Sequence, residues 1–463
     1  MTDQALIFDQ HPQYAAALRV WELNKAASTP MAVKDATTKY LPLAANHESD
    51  KDPRYQAYLS RAVYYGFTQE TISGLLGLAF RQGVTVDTDN ATDYINKNID
   101  GDGIGIEQQS KAAMTGLIKY GRAGLFVDFP PTDGEVSKAE QERLALSATV
   151  NLYDAFSIVD WSSTHIGSAS ILSRVVLCES KYKTTSAGAT EEVLVKRTLA
   201  LDEEGYYFVT EESDDNDDDR VYQPTNSAGK RLNYIPFYFL GATNNDTHVD
   251  DAPIYPIADL NIAHYRNSAD YETSSFLVSQ PQPWATGLTQ SWVDANMGDF
   301  LMGAGLLSLP QGAAFGIEQT QPNMVSMEAM NHKQQAMIQM GAKLISSNAS
   351  FNTASEAIIA SASENSRLQT LIDNVVMAYE KAMGALSDFN GSTAPVFTID
   401  TDLSAVMADP QLAIAVTDSW MKGLIPAKDA RDYQRSVGLI NRTEEEIEDD
   451  LADTISPLES TDV

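Results

Sequence analysis

The apolar and polar positions along this chain follow three successive patterns. Apolar residues recur at helical spacing up to about residue 130 and alternate as in strands from about 150 to 240. They return to helical spacing from about residue 251. Runs of strands flanked by runs of helices are typical of α+β proteins. The pattern therefore predicts an α+β body with a mostly antiparallel sheet.

The stretch RAVYYGFTQETISGLLGLAFRQG, residues 61–83, predicts a junction between two helices. Upstream of it, one helical face carries apolar residues at i, i+3, i+4 and i+7, namely Tyr55, Tyr58, Leu59 and Ala62. Gly66 is expected to end this first helix because glycine is a poor helix former.

The second helix of the junction is expected to begin at Thr68, a good N-cap residue. Phe67 and Ile72 have the spacing of a hydrophobic staple around that cap. Farther along, Gly74 and Gly77 leave a smooth patch on which another backbone can pack closely. The alternative is an ordinary pair of core helices in a large domain.

The strand region begins after a predicted helix end at Gly121, with a buried strand over Leu125–Phe129 that two prolines stop. Strand-like runs then follow between residues 150 and 240. An acidic hairpin turn is expected at Asp202–Gly205.

The last part of the chain predicts long helices around a small module. One helix begins near Pro256 and ends before Pro281. A strand near Trp284, a short helix over Trp292–Met302 and a second strand-like run follow. The next helix covers 325–346, and the polar stretch SSNASFNTAS separates it from a helical pattern over 353–389. That pattern would span roughly 55 Å if unbroken. Short helices are expected near the end of the chain.

The composition indicates a folded protein larger than one hydrophobic core. The chain has 463 residues, of which 43% are hydrophobic and 21% charged, so two to four subdomains are expected. No apolar run is long enough to span a bilayer, and no membrane partner is expected. The opening MTDQALIFDQHPQ does not have the pattern of a signal peptide. The single cysteine, Cys178, lies in a strand-like run and is expected to be a small buried side chain, which fits a reducing cytosol.

The charge excludes proteins that condense on nucleic acid. With 32 basic and 64 acidic residues, the net charge is −32, and such a surface repels phosphates. Ten carboxylates lie in residues 202–219 and nine in 444–463, with no basic residue in either segment. We expect a solvated loop and a frayed terminus there.

No catalytic signature is found, so neither an enzyme, a cofactor nor a metal is expected. The phosphate-loop, nucleophile-elbow, HExxH and CxxC motifs are all absent, and the six histidines are scattered. One segment, NIDGDGIGIEQQ, resembles the opening of a calcium loop with Asn98, Asp100 and Asp102 at positions 1, 3 and 5. Gln109 stands where the bidentate Glu belongs. A tight polar loop that caps the following helix is therefore favoured over calcium binding.

The order of these segments resembles the portal proteins of tailed bacteriophages. The resemblance rests on RYQAYLSRAVYYGFTQETISGLLGLAFR, YGRAGLFVDFP, PIADLNIAHYRNSADYETSSF, SLPQGAAFGIEQ, HKQQAMIQMGAKLI, TASEA and WMKGLIPAKDARDYQRSVGLI, which together run from about residue 54 to 450. It implies an α/β wing, a two-helix stem, a small α/β clip, a long wing helix and a helical C-terminal crown. The implied bounds are wing 1–255, first stem helix 256–278, clip 279–324, second stem helix 325–346, tunnel loop 347–355, long wing helix 356–390 and C-terminal region with acidic tail 391–463.

The resemblance also implies site residues. Ser346, Asn348, Phe351 and Asn352 would line the channel as the tunnel loop, where short uncharged side chains suit sliding DNA. Lys333 and Lys343 on the second stem helix are candidates for weak phosphate contacts, the alternative being solvated helix positions. Tyr55, Tyr58, Gly74 and Gly77 are candidates for wing packing within or between subunits.

The implied partners are those of a portal vertex. A homo-oligomeric ring, of twelve subunits in this family, would surround double-stranded DNA during packaging and ejection. It would contact the large terminase, the major capsid and scaffolding proteins and the head-completion or tail adaptor proteins. Such a protein assembles in the host cytoplasm and resides in the virion. The alternatives are another virion structural protein, such as a head–tail adaptor or tail component, and an acidic cytosolic hydrolase.

Overall fold

The computed structural model describes most of the chain as a mixture of helices and antiparallel sheets, which confirms the α+β prediction. It describes residues 9–44, 47–129, 146–184, 188, 190–213, 219–226, 228–280, 282–296, 309–318, 324–345, 367–400, 410–422, 424–436, 442 and 446–447. The α-helices are α1 Pro12–Ala27, α2 Pro30–Asp35, α3 Pro53–Arg61, α4 Phe67–Ala79, α5 Ile106–Tyr120, α6 Tyr255–Val278, α7 Gln290–Asn296, α8 Val325–Ile345, α9 Arg367–Asn390, α10 Pro410–Met421 and α11 Ala427–Ser436. Single-turn 3-10 helices cover Thr37–Lys39 and Asp93–Asn96.

The described strands form two larger sheets and two short pairs, all antiparallel. The strands are β1 Val84–Asp87, β2 Arg122–Asp128, β3 Thr149–Asp154, β4 Ile158–Ile166, β5 Ala169–Thr184, β6 Thr190–Leu201, β7 Tyr207–Ser213, β8 Arg220–Tyr222, β9 Phe237–Gly241, β10 Gln282–Thr286, β11 Ala314–Glu318 and β12 Val396–Ile399. Strands β3-β2-β9 form one sheet and β4-β5-β6-β7-β8 the other, while β1 pairs with β12 and β10 with β11.

The chain divides into two compact units. The sheet unit comprises residues 1–21, 72–253 and 342–463, and the helical unit comprises residues 22–71 and 254–341. The acidity is uneven between them. The helical unit has 13 acidic and 8 basic residues, a net charge of −5, which leaves −27 of the total −32 in the sheet unit.

In the sheet unit, helix α9 packs against β9, β2, α5 and β12. Tyr379 of α9 is fully buried, lies 4.9 Å from Phe397 between ring centroids, and donates a 3.0 Å hydrogen bond to Oε1 of Gln109. Gly121 ends α5 in the left-handed conformation (φ 68°), as predicted. A Cβ there would lie 2.5 Å from the carbonyl oxygen of Asp250, so only glycine fits.

In the helical unit, a tyrosine-rich core joins α3 to α6. Its buried members are Ala27, Val33, Tyr40, Leu41, Tyr55, Tyr58, Ala62, Tyr64, Ala258, Ile262, Tyr265 and Ala269. The apolar face predicted over Tyr55, Tyr58 and Ala62 is thus confirmed, with Leu59 packed at its edge. Ala62 is the C-cap, so α3 ends before Gly66.

Two local predictions were wrong. Helix α4 begins at Phe67, so Thr68 lies inside the helix rather than at its N-cap, and Phe67 with Ile72 is not a staple around it. Thr68 is fully buried and accepts a 3.1 Å hydrogen bond from Asn261 Nδ2. Cys178 is half-buried in β5 rather than a buried core residue.

Candidate functional site

The segment from α6 to α8 holds the two long helices and the small module that the sequence predicted there. Helix α6 ends at Val278, the β10–β11 pair and α7 follow, and α8 ends at Ile345. Strands β10 and β11 pair in register from Gln282↔Glu318 to Thr286↔Ala314. A Cβ on Gly316 would lie 2.5 Å from the Trp284 ring, so the glycine lets this ring lie across the partner strand. The order of elements agrees with the predicted pattern.

Exposed apolar side chains are concentrated on this segment. Of the 22 exposed large hydrophobic side chains among the described residues, ten belong to residues 255–345, which form about a fifth of the chain. They are Tyr255, Phe276, Leu277, Trp284, Ile317, Met324, Val325, Met327, Ile338 and Met340. Exposed apolar side chains mark interaction sites in soluble proteins where they are contiguous, and several of these are neighbours in the sequence. No pattern in the sequence pointed to these residues as a surface.

The two candidate lysines lie in different environments on α8. Lys333 is half-buried, and its Nζ donates a hydrogen bond to Oδ1 of Asn267 on α6. Lys343 is exposed, two residues before the end of the helix. Lys333 is therefore not simply a solvated position, while its contact with phosphate stays a prediction. Lys343 is open to solvent.

The candidate packing residues divide into two groups. Tyr55 and Tyr58 are buried in the helical unit, with Tyr55 donating to the carbonyl oxygen of Leu41 at 2.8 Å and Tyr58 to Oδ1 of Asp270 at 2.7 Å. Of the two alternatives for these tyrosines, packing within the chain therefore applies. Gly74 and Gly77 are exposed on α4, and a Cβ at either position would meet no other atom within 4 Å.

The candidate channel residues, Ser346, Asn348, Phe351 and Asn352, lie outside the described residues, as does the start of the predicted long helix before Arg367. The same holds for residues 214–218 and the acidic tail beyond 447.

The acidic segment 202–219 is not wholly a solvated loop. Asp202 Oδ1 accepts hydrogen bonds from the backbone nitrogens of Glu204 and Tyr206, which confirms the hairpin turn. Strand β7 then alternates buried and half-buried residues, and its period of two places Glu211 on the buried face, 3% exposed. The alternation of residues along β7 could therefore have predicted from the sequence that Glu211 is buried.

Glu211 belongs to a buried ion-pair network that we call the Arg197 cluster, formed by Asp128, Glu179, Arg197 and Glu211. The Arg197 guanidinium lies 2.9 Å from Asp128 Oδ2, 3.0 Å from Glu179 Oε1 and 3.0 Å from Glu211 Oε1. Arg220 adds a 2.7 Å ion pair to Glu211 from the surface. The cluster was not predicted from the sequence.

Burial and ion pairing oppose each other in the Arg197 cluster. Burial raises the pKa of Asp128 above its ordinary value, although Arg197 opposes the shift. Burial also raises the pKa of Glu211, but Arg197 and Arg220 outweigh it and the net shift is downward. The cluster borders a cleft of about 740 Å³ that Asp100, Gln109, Tyr153 and Cys178 also line.

The calcium-like loop is closed by its own hydrogen bonds. Asp100 Oδ1 accepts from the backbone nitrogens of Asp102 at 2.9 Å and Ile104 at 3.2 Å, and Asn98 Oδ1 accepts from that of Gly103 at 2.8 Å. The loop does not cap the following helix as predicted, because the N-cap of α5 is Gly105, which has no side chain to bond. In the part of the chain that the structure describes, no group of three or more His, Cys, Asp and Glu side chains could hold a metal ion.

A second cavity, of about 280 Å³, lies inside the helical unit between the Tyr65–Phe67 turn, α6 and α8. His264 lines it and is 2% exposed, with its ring 5.1 Å from the Tyr65 centroid and 5.4 Å from that of Phe67. Burial, and then the charge of Lys333, lowers the pKa of His264 to about 4, so the imidazole is neutral at pH 7.

Among the described helices, none is both long enough and apolar enough to cross a bilayer.

Comparisons with known proteins give one family match and several distant structural matches. A family profile described as "Domain of unknown function (DUF4055)" matches residues 253–390. No curated protein matches the chain.

The solved structures similar to this chain include "Virion of native gene transfer agent (GTA) particle", with 11% identity and a TM-score of 0.40 over 86% of this chain and 97% of the other. "Neck of native GTA particle computed with C12 symmetry" has 12% identity and a TM-score of 0.39 over 87% and 97%. "Neck of empty GTA particle computed with C6 symmetry" has 11% identity and a TM-score of 0.37 over 85% and 96%.

Proposed function

We propose that this chain is a virion structural protein, and specifically the subunit of a portal ring at the head-to-tail vertex of a tailed-phage particle. The observation that carries the proposal is the order of elements from Tyr255 to Asn390. Helix α6, the β10–α7–β11 module, helix α8 and helix α9 follow one another as stem, clip, stem and long wing helix do in the family that the sequence resembles. The profile match covers the same span, residues 253–390.

The exposed apolar side chains of α6, the module and α8 support assembly into a ring. A single chain leaves Leu277, Ile317 and Ile338 between 55% and 59% exposed. Repeating one contact around a rotation axis would bury such side chains in every copy at once. The net charge of −32 makes the copies repel one another, and we expect higher salt to favour assembly by screening that repulsion.

Double-stranded DNA would pass through the ring. The near-neutral balance of the helical unit suits a channel wall that neither holds nor strongly repels phosphates. Lys343 is the exposed cation of α8 and offers weak, exchangeable phosphate contacts, while Lys333 fixes α8 to α6. The uncharged loop with Ser346, Asn348, Phe351 and Asn352 would form the constriction.

The remaining partners follow from this position in the particle. They are the large terminase during packaging, the major capsid and scaffolding proteins around the ring, and head-completion or tail adaptor proteins below it. In this role the chain performs no catalysis and needs no cofactor.

Electron microscopy and mass photometry of the purified chain test the proposal. We expect closed rings with a central hole, at a mass that is a multiple of 50.5 kDa. A monomer at micromolar concentration in both low and high salt would overturn it. An open tube would instead favour a tail component.

A matched pair of variants tests which surface assembles the ring. Ile338→Gln changes a side chain 59% exposed on α8, and Met377→Gln one that is 49% exposed on α9. We expect only Ile338→Gln to weaken assembly, with both variants as stable to urea as the wild type. Equal assembly of the two would exclude the α8 surface.

Charge in the constriction tests the channel. Asn348→Asp and Asn348→Arg would each place one charge per subunit around the passing DNA, the first repelling phosphates and the second binding them. Both variants should form normal rings but package DNA poorly. Packaging at wild-type rates in both would show that this loop does not line the channel.

A further inference from the structure

Helix α9 ends in an asparagine that is followed by a glycine. Asn390 is the last residue of the helix, and of all the asparagines in the chain only this one precedes a glycine. Gly391 has the left-handed conformation (φ 60°), and the backbone nitrogen of Ser392 donates a 3.3 Å hydrogen bond to the carbonyl oxygen of Ser387. A left-handed glycine together with this bond is the pattern of a Schellman cap.

One of the two hydrogen bonds of this cap is missing. In a complete Schellman cap, the backbone nitrogen of the glycine also donates to a carbonyl oxygen of the last turn. Among the described residues, none accepts a hydrogen bond from the backbone nitrogen of Gly391, and the glycine is exposed. The nitrogen that follows Asn390 is therefore open to water, which can take its proton.

The side chain of Asn390 is weakly held. It is half-buried, and its Nδ2 donates a long hydrogen bond of 3.3 Å to the hydroxyl oxygen of Tyr94. The other asparagine of α9, Asn374, is 7% exposed and donates from Nδ2 to the carbonyl oxygen of Gly241 at 2.9 Å. It is followed by Val375. The two asparagines therefore differ in side-chain freedom and in the bulk of the following residue, which both control attack by the following nitrogen.

We propose that Asn390 is a site of spontaneous deamidation in the folded chain. The deprotonated nitrogen of Gly391 attacks Cγ of Asn390, an N–C bond forms and the bond to Nδ2 breaks, so that ammonia leaves and a five-membered succinimide remains. Glycine has no Cβ to obstruct this approach. Water then opens the succinimide at either carbonyl and gives aspartate or its β-linked isomer, isoaspartate. Because water is the co-reactant, the reaction is independent of ring assembly and of DNA.

The helix end slows this reaction only a little. The nitrogen reaches Cγ after the peptide between Asn390 and Gly391 rotates away from its helical orientation. This rotation breaks the 3.3 Å hydrogen bond from Ser392 to Ser387. One hydrogen bond changes an equilibrium by up to about tenfold, so the folded chain should react within about tenfold of the unfolded chain.

The product is expected to weaken the end of α9. A carboxylate at a helix C-terminus is disfavoured by the helix dipole. It also cannot donate to Tyr94, whose own hydroxyl proton is donated to the carbonyl oxygen of Ala148 at 2.6 Å. The modification therefore removes a contact of the helix end and adds a charge that has no favourable partner in this bond.

Peptide mapping by mass spectrometry tests the proposal on the full wild-type chain. The chain is incubated with and without urea at pH 8, where more of the attacking nitrogen is deprotonated than at pH 7. In the folded sample, the peptide with Asn390 should gain about 1 Da at a rate within about tenfold of the urea sample, and an isoaspartate assay should detect the isomer. The peptide with Asn374 should stay unchanged in the folded sample. Conversion of Asn390 confined to urea, or conversion in neither sample, would overturn the proposal.

Asn390→Gln is the control variant for the succinimide step. It keeps a side-chain amide, but attack on the longer side chain must close a six-membered ring, so we expect conversion at least about tenfold slower. Equal rates in the variant and the wild type, or conversion of the wild type without isoaspartate, would show direct hydrolysis by water and exclude the attack by Gly391.

Discussion

The sheet unit and the helical unit bury polar groups in opposite ways. The sheet unit buries ions, because Arg197 pairs with three carboxylates, of which Glu211 is 3% exposed. The helical unit buries neutral groups, because Tyr64, Thr68 and Asn261 bond to one another and to the backbone. The net charges of −27 and −5 follow the same division.

The difference shows where the acidity of the chain is placed. The excess of acidic residues is concentrated in the sheet unit, where the buried Arg197 pairs with some of the carboxylates. The excess is small in the helical unit, which holds most of the proposed stem. The net charge of −32 is therefore not a measure of the charge on the proposed stem.

The largest effect is expected from Arg197→Met, which removes the shared cation and leaves Asp128, Glu179 and Glu211 together in a buried site. Breaking a buried ion pair from one side costs about 3–5 kcal/mol of unfolding free energy. Arg220→Met should cost less than about 1 kcal/mol, because its side chain is 59% exposed. Urea denaturation measures both. If the two variants lose equal stability, the cluster is not a buried network.

The second effect is a pH dependence that the helical unit contributes through His264. The pKa of His264 is about 4 in the folded chain and 6.5 when unfolded. Between pH 4 and pH 6.5, His264 is therefore protonated in the unfolded chain and neutral in the folded chain. The contribution of His264 to the free energy of unfolding is therefore present in full at pH 7. It decreases as the pH drops through 6.5, by up to about 3 kcal/mol at pH 4. Denaturation of wild type and His264→Phe at pH 7, 6 and 5 should show a shallower decline in the variant. Parallel declines would contradict a neutral buried histidine.

The sequence predicted the elements better than it predicted these polar interiors. Helical and strand periods identified α6, α8 and the antiparallel strands, because burial of apolar side chains sets those periods locally. The ends were less certain, as the start of α4 at Phe67 shows, since several residues near Gly66 can begin a helix. The Arg197 cluster was missed because its members come from strands β2, β5, β6 and β7. Pairing brings β5, β6 and β7 together, whereas Asp128 comes from β2 in the other sheet and meets Arg197 only in the folded sheet unit.

The third prediction tests the neutral interior. Tyr64→Phe removes a hydroxyl that donates to the carbonyl oxygen of Ala27 at 2.7 Å and accepts from Asn261 Nδ2 at 2.7 Å. Leaving these buried partners unpaired should cost about 1–3 kcal/mol. The neighbouring Tyr65 is 41% exposed, and Tyr65→Phe should change stability by less than about 0.5 kcal/mol. A cost for Tyr64→Phe as large as that of Arg197→Met would remove the distinction between the two interiors.

The smallest effect on stability is expected at the calcium-like loop of residues 98–104, whose carboxylates are not fully buried. Asp100 is half-buried and uses Oδ1 to accept two backbone hydrogen bonds, while Asp102 is exposed. Asparagine keeps an Oδ1 acceptor. The double variant Asp100→Asn, Asp102→Asn should therefore lose less than about 1 kcal/mol, whereas Asp100→Ala, which removes the acceptor, should lose more.

Adding calcium tests whether the carboxylates of this loop only accept backbone hydrogen bonds or also bind a metal ion. Because Asp100 Oδ1 accepts two backbone hydrogen bonds and Gln109 Oε1 accepts one from the Tyr379 hydroxyl at 3.0 Å, few oxygen ligands are left for a cation. Adding calcium should therefore leave the melting temperature of the wild type and of the double variant unchanged within about 1 °C, since binding raises it only when the folded state has a site. A rise in the wild type that the double variant lacks would show that the loop binds calcium. A bound calcium ion would then neutralise the carboxylates of this loop, as the Arg197 guanidinium does for the carboxylates of the Arg197 cluster.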